Sequence, residues 1–465
     1  MNTQHQSATA EAIPAGYKQT EVGLIPEDWR VLEVRDLISE KLIEKPLDGN
    51  HGNTHPKSND FVDSGIPFVM ANNIQNGNLD LNHCSFIRKS QADSLQKGFS
   101  RTGDVLLTHK ATIGNTAVVG DIDFPYVMLT PQVTYYRVIE TNQLSNFYLR
   151  HFFDSERFQS ILRDLSGGGT RSYIGITAQH QLIVVLPARF QEQTAIANAL
   201  SDVDTLIQEL EKLIAKKRHI KAATMQQLLT GRTRLPQFAY RADGTKKGTK
   251  ASELGEIPED WEVFKLPDVI WYQEGPGLRK WQFKTKGLKV INVTNLQESG
   301  NLNLDKTDRH IAWEEFEKTY KHFACDEGDL VIASSGNSYC KTSIIRQCDL
   351  PILMNTSVIR MKPRENLFGG FMEVYIKSLM FKTQIDLLIT GGAQPNFGPA
   401  HLEKIKLPAP PSKQEQTAIA TILSDMDSEI QTLEQRLAKT RQLKQGMMQE
   451  LLTGRTRLVK PNPVN

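Results

Sequence analysis

Two glycine-rich stretches of this 465-residue chain stand beside side chains that form directional hydrogen bonds. Ser166 to Gly169 precedes Arg171, and Gly391-Gly392 precedes Gln394 and Asn396. Glycine permits close backbone approach to a ligand, and arginine, asparagine and glutamine in loops contact phosphates and base edges. Local groups of cations point the same way. Arg279, Lys280, Lys284, Lys286 and Lys289 cluster with Trp271, Tyr272, Trp281 and Phe283, and Arg88, Lys89, Lys97, Arg101 and Lys110 form a second cluster. The expected contacts with a nucleic acid are therefore Arg88, Lys110, Gly168, Arg171, Arg279, Lys280, Lys284, Ser334, Asn337, Gln394 and Asn396. Taken alone, each basic cluster is also explained by a solvated face, and each glycine-rich stretch by a tight turn.

Other chemistry is missing. No GxxxxGK[ST] phosphate loop occurs, no glycine fingerprint follows a strand in a βαβ setting, and no Asn-Pro-Pro-aromatic or Asp-Pro-Pro-aromatic tetrad is present. Pro410-Pro411 reads as a stop between strand and helix. His51 and His55 sit at helical spacing, but Gly49, Gly52 and Pro56 argue against a helix there. Cys84, Cys325, Cys340 and Cys348 show neither CxxC pairing nor zinc-like spacing to histidine, so free thiols and no metal site are expected. The net charge of +2 excludes a generic polybasic binder. A hydrophobic content of 39%, a polar amino terminus and no apolar run near the ~18 residues of a membrane span predict a cytoplasmic protein, and the missing motifs predict no catalysis of its own.

What positions the loops is a repeat. Gln191 to Leu235 returns, without a gap and with most residues identical, as Gln414 to Leu458. In the first copy Ile196, Leu200, Val203, Ile207, Leu210 and Ile214 alternate steps of four and three; Ile419, Leu423, Met426, Ile430, Leu433 and Leu437 do so in the second. That is the seam of a coiled coil. Each copy ends in Leu-Leu-Thr-Gly, where Gly231 and Gly454 can turn left-handed. About 40 residues at about 1.5 Å each give a rod of about 60 Å. The two helices are expected to pair antiparallel with each other, placing the domains at opposite ends; docking of each seam on its neighbouring domain or on another protein is the alternative.

A weaker repeat surrounds this one. Gly-Leu-Ile-Pro-Glu-Asp-Trp at 23–29 recurs as Gly-Glu-Ile-Pro-Glu-Asp-Trp at 255–261. Gly103-Asp104-Val105-Leu106 is echoed by Gly328-Asp329-Leu330-Val331, and 69–79 by 291–302. β-prone runs at 105–108, 116–119, 133–138, 330–333 and 343–345, with helices at 146–162 and 370–388, give an α+β fold class. The predicted organisation is a tail (1–22), a first domain (23–188), a helix (189–235), a polar, flexible link (236–253), a second domain (254–409), a second helix (410–458) and a tail (459–465).

This arrangement resembles the specificity subunit of type I restriction-modification systems. The features that carry the resemblance are Ile-Pro-Glu-Asp-Trp at 25–29 and 257–261, the helix starts at 187–197 and 411–420, and the Leu-Leu-Thr-Gly-Arg-Thr-Arg-Leu helix ends. The resemblance implies that each domain is a target recognition domain reading half of a bipartite, asymmetric site in double-stranded DNA. It implies helices that set the gap and dock two methyltransferase subunits, which methylate adenine N6 with S-adenosylmethionine. Motor-nuclease (restriction) subunits using ATP and Mg would complete the assembly, and this chain would bind no cofactor itself. Docking is expected around Gln193, Arg232, Gln416 and Arg455. Two other classes remain: a coiled-coil scaffold joining two partner-binding domains, and a self-contained methyltransferase, against which the missing fingerprint argues.

Overall fold

The computed structural model describes residues 13–166, 173–297, 299–389 and 395–459. The chain forms two compact units, Met1–Glu211 with Gln435–Asn465, and Lys212–Glu434. Each unit thus contains one globular domain, part of the first long helix, Phe190–Leu229, and part of the second, Lys413–Leu451.

Within each unit the helices run antiparallel. In the first, Lys444 meets Asp204 and Arg441 meets Glu211, both at 2.6 Å. In the second, Lys217 meets Glu429 at 2.6 Å and Lys221 meets Asp427. Residue numbers rise on one helix as they fall on the other, as the expected pairing requires. The apolar seam does two jobs. Leu210, Ile214 and Ile430 are buried along the rod, whereas Ile196 and Leu200 join the core of the first domain and Ile419 and Leu423 that of the second. The far ends dock as well: Leu451 and Leu452 enter the first core, Leu228 and Leu229 the second. Burying such a leucine stabilises by roughly 1.5–3 kcal/mol, so each domain holds the start of one long helix and the end of the other.

The two domains share one plan. The first has a four-stranded antiparallel sheet in the order Thr112–Val118, Val105–Lys110, Val133–Tyr136, Leu47–Asp48. The second repeats it as Thr342–Ile344, Leu330–Ala333, Val358–Pro363, Ile270–Glu274. Each carries a second sheet with one parallel pair, five-stranded in the first domain with Ile66–Val69 beside Val127–Leu129, and three-stranded in the second with Leu288–Ile291 beside Ile352–Met354. Fully buried Trp29 and Trp261 sit at matching places in the two cores.

Two expectations need correction. The single helices expected at 146–162 and 370–388 are each two: Asn146–Phe153 and Glu156–Ser166, Gly369–Ile376 and Leu379–Leu388. Ser155 and Ser378 cause the break, their hydroxyls bonding back to the Phe152 and Tyr375 carbonyls at 2.6 Å and accepting from Phe158 and Phe381 N–H. The link at 236–253 is also not a loose joint. Gly244 (φ +81°) and the Asp243 carboxylate, which accepts from Thr245 N–H at 2.9 Å, build a turn, and Thr249–Ser252 pairs with Gly255–Pro258.

Candidate nucleic-acid interface

The repeated motifs meet in space, and that contact fixes each domain to the helices. In the first unit Arg457, near the end of the second repeat, grips Asp28 with Nη1 and Nη2 at 2.7 and 2.8 Å and Glu192 with Nε and Nη2 at 2.6 and 2.5 Å. In the second unit Arg234 meets Asp260 at 2.7 Å and Glu415 at 2.6 Å. Each clasp therefore joins a domain opening, the start of one long helix and the end of the other. Glu192 is fully buried, so its charge depends on Arg457. The Arg457 hydrogen bond lowers the Asp28 pKa. At Asp260 burial works upward, but hydrogen bonds from Arg234 and Lys247 outweigh it and hold the carboxyl at about 2. Gly231 (φ +68°) and Gly454 (φ +72°) complete the clasps. A Cβ there would lie 2.3 Å from the Pro258 ring and 2.4 Å from the Pro26 ring, which explains why Leu-Leu-Thr-Gly and Ile-Pro-Glu-Asp-Trp recur together.

Among the described residues, a second ionic tie exists in the first unit alone. Arg150, 5% exposed, reaches Asp204 of the first long helix at 2.6 Å and Asp154 at 3.0 Å, and Lys444 closes on Asp204. Burial and the neighbouring Arg150 press the His151 pKa down to about 3, so this imidazole stays neutral.

The polar loops lie at one end of each four-stranded sheet. Lys110 closes its strand, is exposed, and sits 5.9 Å from the ring of Tyr173, with which it forms a backbone bridge. Gly168 and Arg171 lie outside the described residues, between Ser166 and Tyr173. In the second domain Asn337 and Asn396 are exposed and brought together by the Ser335–Asn396 bridge and the bond from Phe397 N–H to the Ser334 carbonyl at 3.0 Å. Gln394 lies outside the described residues. Arg279, Lys280 and Lys284 are exposed around the 3-10 turn Lys280–Gln282, beside Trp281, which is 73% exposed. Arg88 is exposed too, but it follows Ser85–Ile87 of the five-stranded sheet rather than joining Lys110.

Three expected contacts are not surface groups. Ser334 is 1% exposed, its side chain turned into the domain. Gln193 and Gln416 are equally buried, because their amides are spent inside the chain: Gln193 accepts from Ser145 N–H and donates to the Gln143 and Pro187 carbonyls, and Gln416 accepts from Phe368 N–H and donates to those of Asn366 and Pro410. They tie the helix starts to the domains and offer no docking surface. Arg232 and Arg455 remain exposed. Arg234 and Arg457, two residues farther on, were not singled out, although the repeated Thr-Arg-Leu carries them; which carboxylates they meet depends on the fold.

Among the described residues no helix is long and apolar enough to cross a membrane. The family described as type I restriction modification DNA specificity domain matches the chain twice, over residues 26–221 and 258–442. The type I restriction enzyme MjaVIII specificity subunit of Methanocaldococcus jannaschii is 25% identical over 449 residues, covering 94% of this chain and 95% of that one. The EcoKI specificity subunit of Escherichia coli K12 is 25% identical over 206 residues, 43% of each chain. Among solved structures, a type I restriction-modification S subunit from M. genitalium has a similar fold, with a TM-score of 0.55 at 14% identity over 91% of this chain and 96% of that one. With both globular domains and most of both helices inside the matched segments, this chain belongs to the type I restriction-modification DNA specificity family and is a specificity subunit with two target recognition domains.

Proposed function

We propose that each recognition domain reads one half of a bipartite, asymmetric DNA sequence and that the helix pair sets the unspecified interval between the halves. The observation that carries this reading is the division of the repeat. The clasps are alike in both units, whereas the loop ends differ in charge and shape: Lys110 and Tyr173 in one, Asn337 and Asn396 in the other. A common frame carrying unlike polar loops suits two unlike half-sites. Half-sites about one turn of DNA apart, 34–36 Å, present the same face of the duplex, an interval shorter than a helix of about 60 Å.

The chain then supplies specificity, and the chemistry belongs to its partners. The methyltransferase subunits hold S-adenosylmethionine and methylate adenine N6, and restriction subunits use ATP and Mg. One solved structure similar in fold (TM-score 0.52, 13% identity, 93% of this chain and 99% of that one) concerns complex assembly and conformational transition of the type I R-M system. Exposed Arg232 and Arg455, beside the clasps, are the proposed docking positions. The work of the assembly places the chain in the cytoplasm.

Mapping methylated adenines across the host genome with and without this gene tests the reading. Deletion is expected to abolish one bipartite motif and so reveal target and interval together. An unchanged methylome while the methyltransferase is expressed would favour a scaffold instead.

A further inference from the structure

The two four-stranded sheets carry an acidic residue at the same place and treat it differently. Asp48 faces Thr134 and Glu274 faces Ile359, on strands whose partners are also in matched register, Val105 with Tyr136 and Leu330 with Met361. A glycine follows each. A Cβ on Gly49 would meet the Leu129 carbonyl at 2.0 Å, and one on Gly275 the Asn355 carbonyl at 2.3 Å. Near each acid, on the same sheet face, comes a second matched pair: His109 and Ser334, whose N–H groups bond to the Gln132 and Ser357 carbonyls and whose own carbonyls accept from Ile174 and Phe397.

In the first domain this place is saturated. Asp48 is bound by Lys97 and by His51 at 2.6 Å, with His109 Nε2 at 4.0 Å. In the second, the Glu274 side chain has neither an ion pair nor a hydrogen bond among the described residues. It is half-buried, and burial raises its pKa with no cation to oppose it. Gly398 has no side chain to cover the carboxylate; even a Cβ there would stand 4.0 Å away. Among the described residues the buried Ser334 hydroxyl also lacks a partner. A half-buried carboxylate without a donor is costly. Such a site is made for a ligand that brings an N–H.

The surroundings select that ligand. Five residues beyond Glu274 begin Arg279, Lys280 and Lys284, exposed and, among the described residues, without an acidic partner, which suits them to phosphates. Glu274 repels phosphate, so a nucleic acid held by these cations would have to offer it a base edge rather than its backbone. We infer that Glu274 is a specificity-determining residue of the second domain, accepting a hydrogen bond from the exocyclic amino group of a target base in the major groove. Cytosine N4 and adenine N6 share that chemistry. The inference rests on the DNA-reading role proposed above.

The test uses the full chain assembled with its methyltransferase subunits, methylating a DNA library randomised across the target. Glu274→Ala is expected to lose roughly tenfold or more of the discrimination at one base pair of one half-site, leaving the other half unchanged. Glu274→Gln, the same shape, keeps an A·T requirement there if the donor is adenine N6 and moves the preference toward A·T if it is cytosine N4, because glutamine pairs with adenine through two bonds. Unchanged preferences in both variants, or equal loss at both halves, overturn the inference. Should Glu274→Ala fail to assemble, Glu274→Leu, which fills similar space without an acceptor, takes its place and is read by the same criteria. A wild-type complex that methylates without sequence preference would instead overturn the DNA-reading role itself.

Discussion

Arg150 and Glu373 occupy the same turn of the same helix in the two domains, each five residues after a backbone N–H held by the buried glutamine of the neighbouring long helix. Arg150 reaches across to Asp204 and fastens its domain to the rod. Glu373 stays on its own helix with Lys377 at 2.6 Å, and Asp427, the counterpart of Asp204, is left to Lys221. The clasps at the helix ends are the same in both units while, among the described residues, this side strap is present in one. The end clasp is therefore what the architecture requires, and the strap is an addition that makes the first domain the more firmly held.

Breaking the shared part has the largest expected effect. Arg457→Ala leaves Glu192 buried without a counter-charge and Arg234→Ala does the same to Glu415, each destabilising by roughly 3–5 kcal/mol. Thermal unfolding of the two variants should show similar losses; a harmless one would mean that the clasps are not equivalent. The strap sharpens the comparison. Arg150→Ala should cost roughly 2–3 kcal/mol and speed hydrogen exchange around Asp204, whereas Glu373→Ala, removing a half-exposed pair, should cost under about 1 kcal/mol and leave exchange around Asp427 unchanged.

Acid removes part of one clasp. Asp260 is held at about 2 against an ordinary 3.8, so the folded state binds its proton less readily than the unfolded one. The stabilisation is complete above about pH 4 and fades as pH falls toward 2, by roughly 2 kcal/mol. Asp260→Asn should flatten that part of an acid unfolding curve. Asp28, also lowered but 42% exposed, should contribute less.

Periodicity made the long helices legible, because a four-three alternation of apolar residues has few other solutions, and the strand Leu330–Ala333 lies where its β-prone run placed it. What escaped depends on partners distant in sequence. Ser155 and Ser378 look like ordinary helix residues until their backbone bonds are seen. Gln193 and Gln416 read as surface residues because glutamine usually is one, yet a domain closes over each. The correspondence of Asp48 with Glu274 is invisible by spacing, since the loops around them share almost no sequence; it emerges from strand register. The exposed Asn337, Asn396 and Lys110 were legible as polar loop residues.

The composition of the clasps makes the order of elements cyclic. In the second unit the end of a long helix runs covalently, through the hairpin at Tyr240–Lys246, into the next domain opening. In the first unit the same two elements are joined without a peptide bond, by Arg457 on Asp28 and by the Tyr17 hydroxyl on the Gly454 carbonyl at 2.9 Å. Linking those ends and reopening the chain in the Asp243–Gly244 turn would preserve every contact of both clasps. Such a rearranged gene would encode the two recognition domains in exchanged order yet fold by the same rules, so domain order in this architecture is a matter of where the reading frame starts.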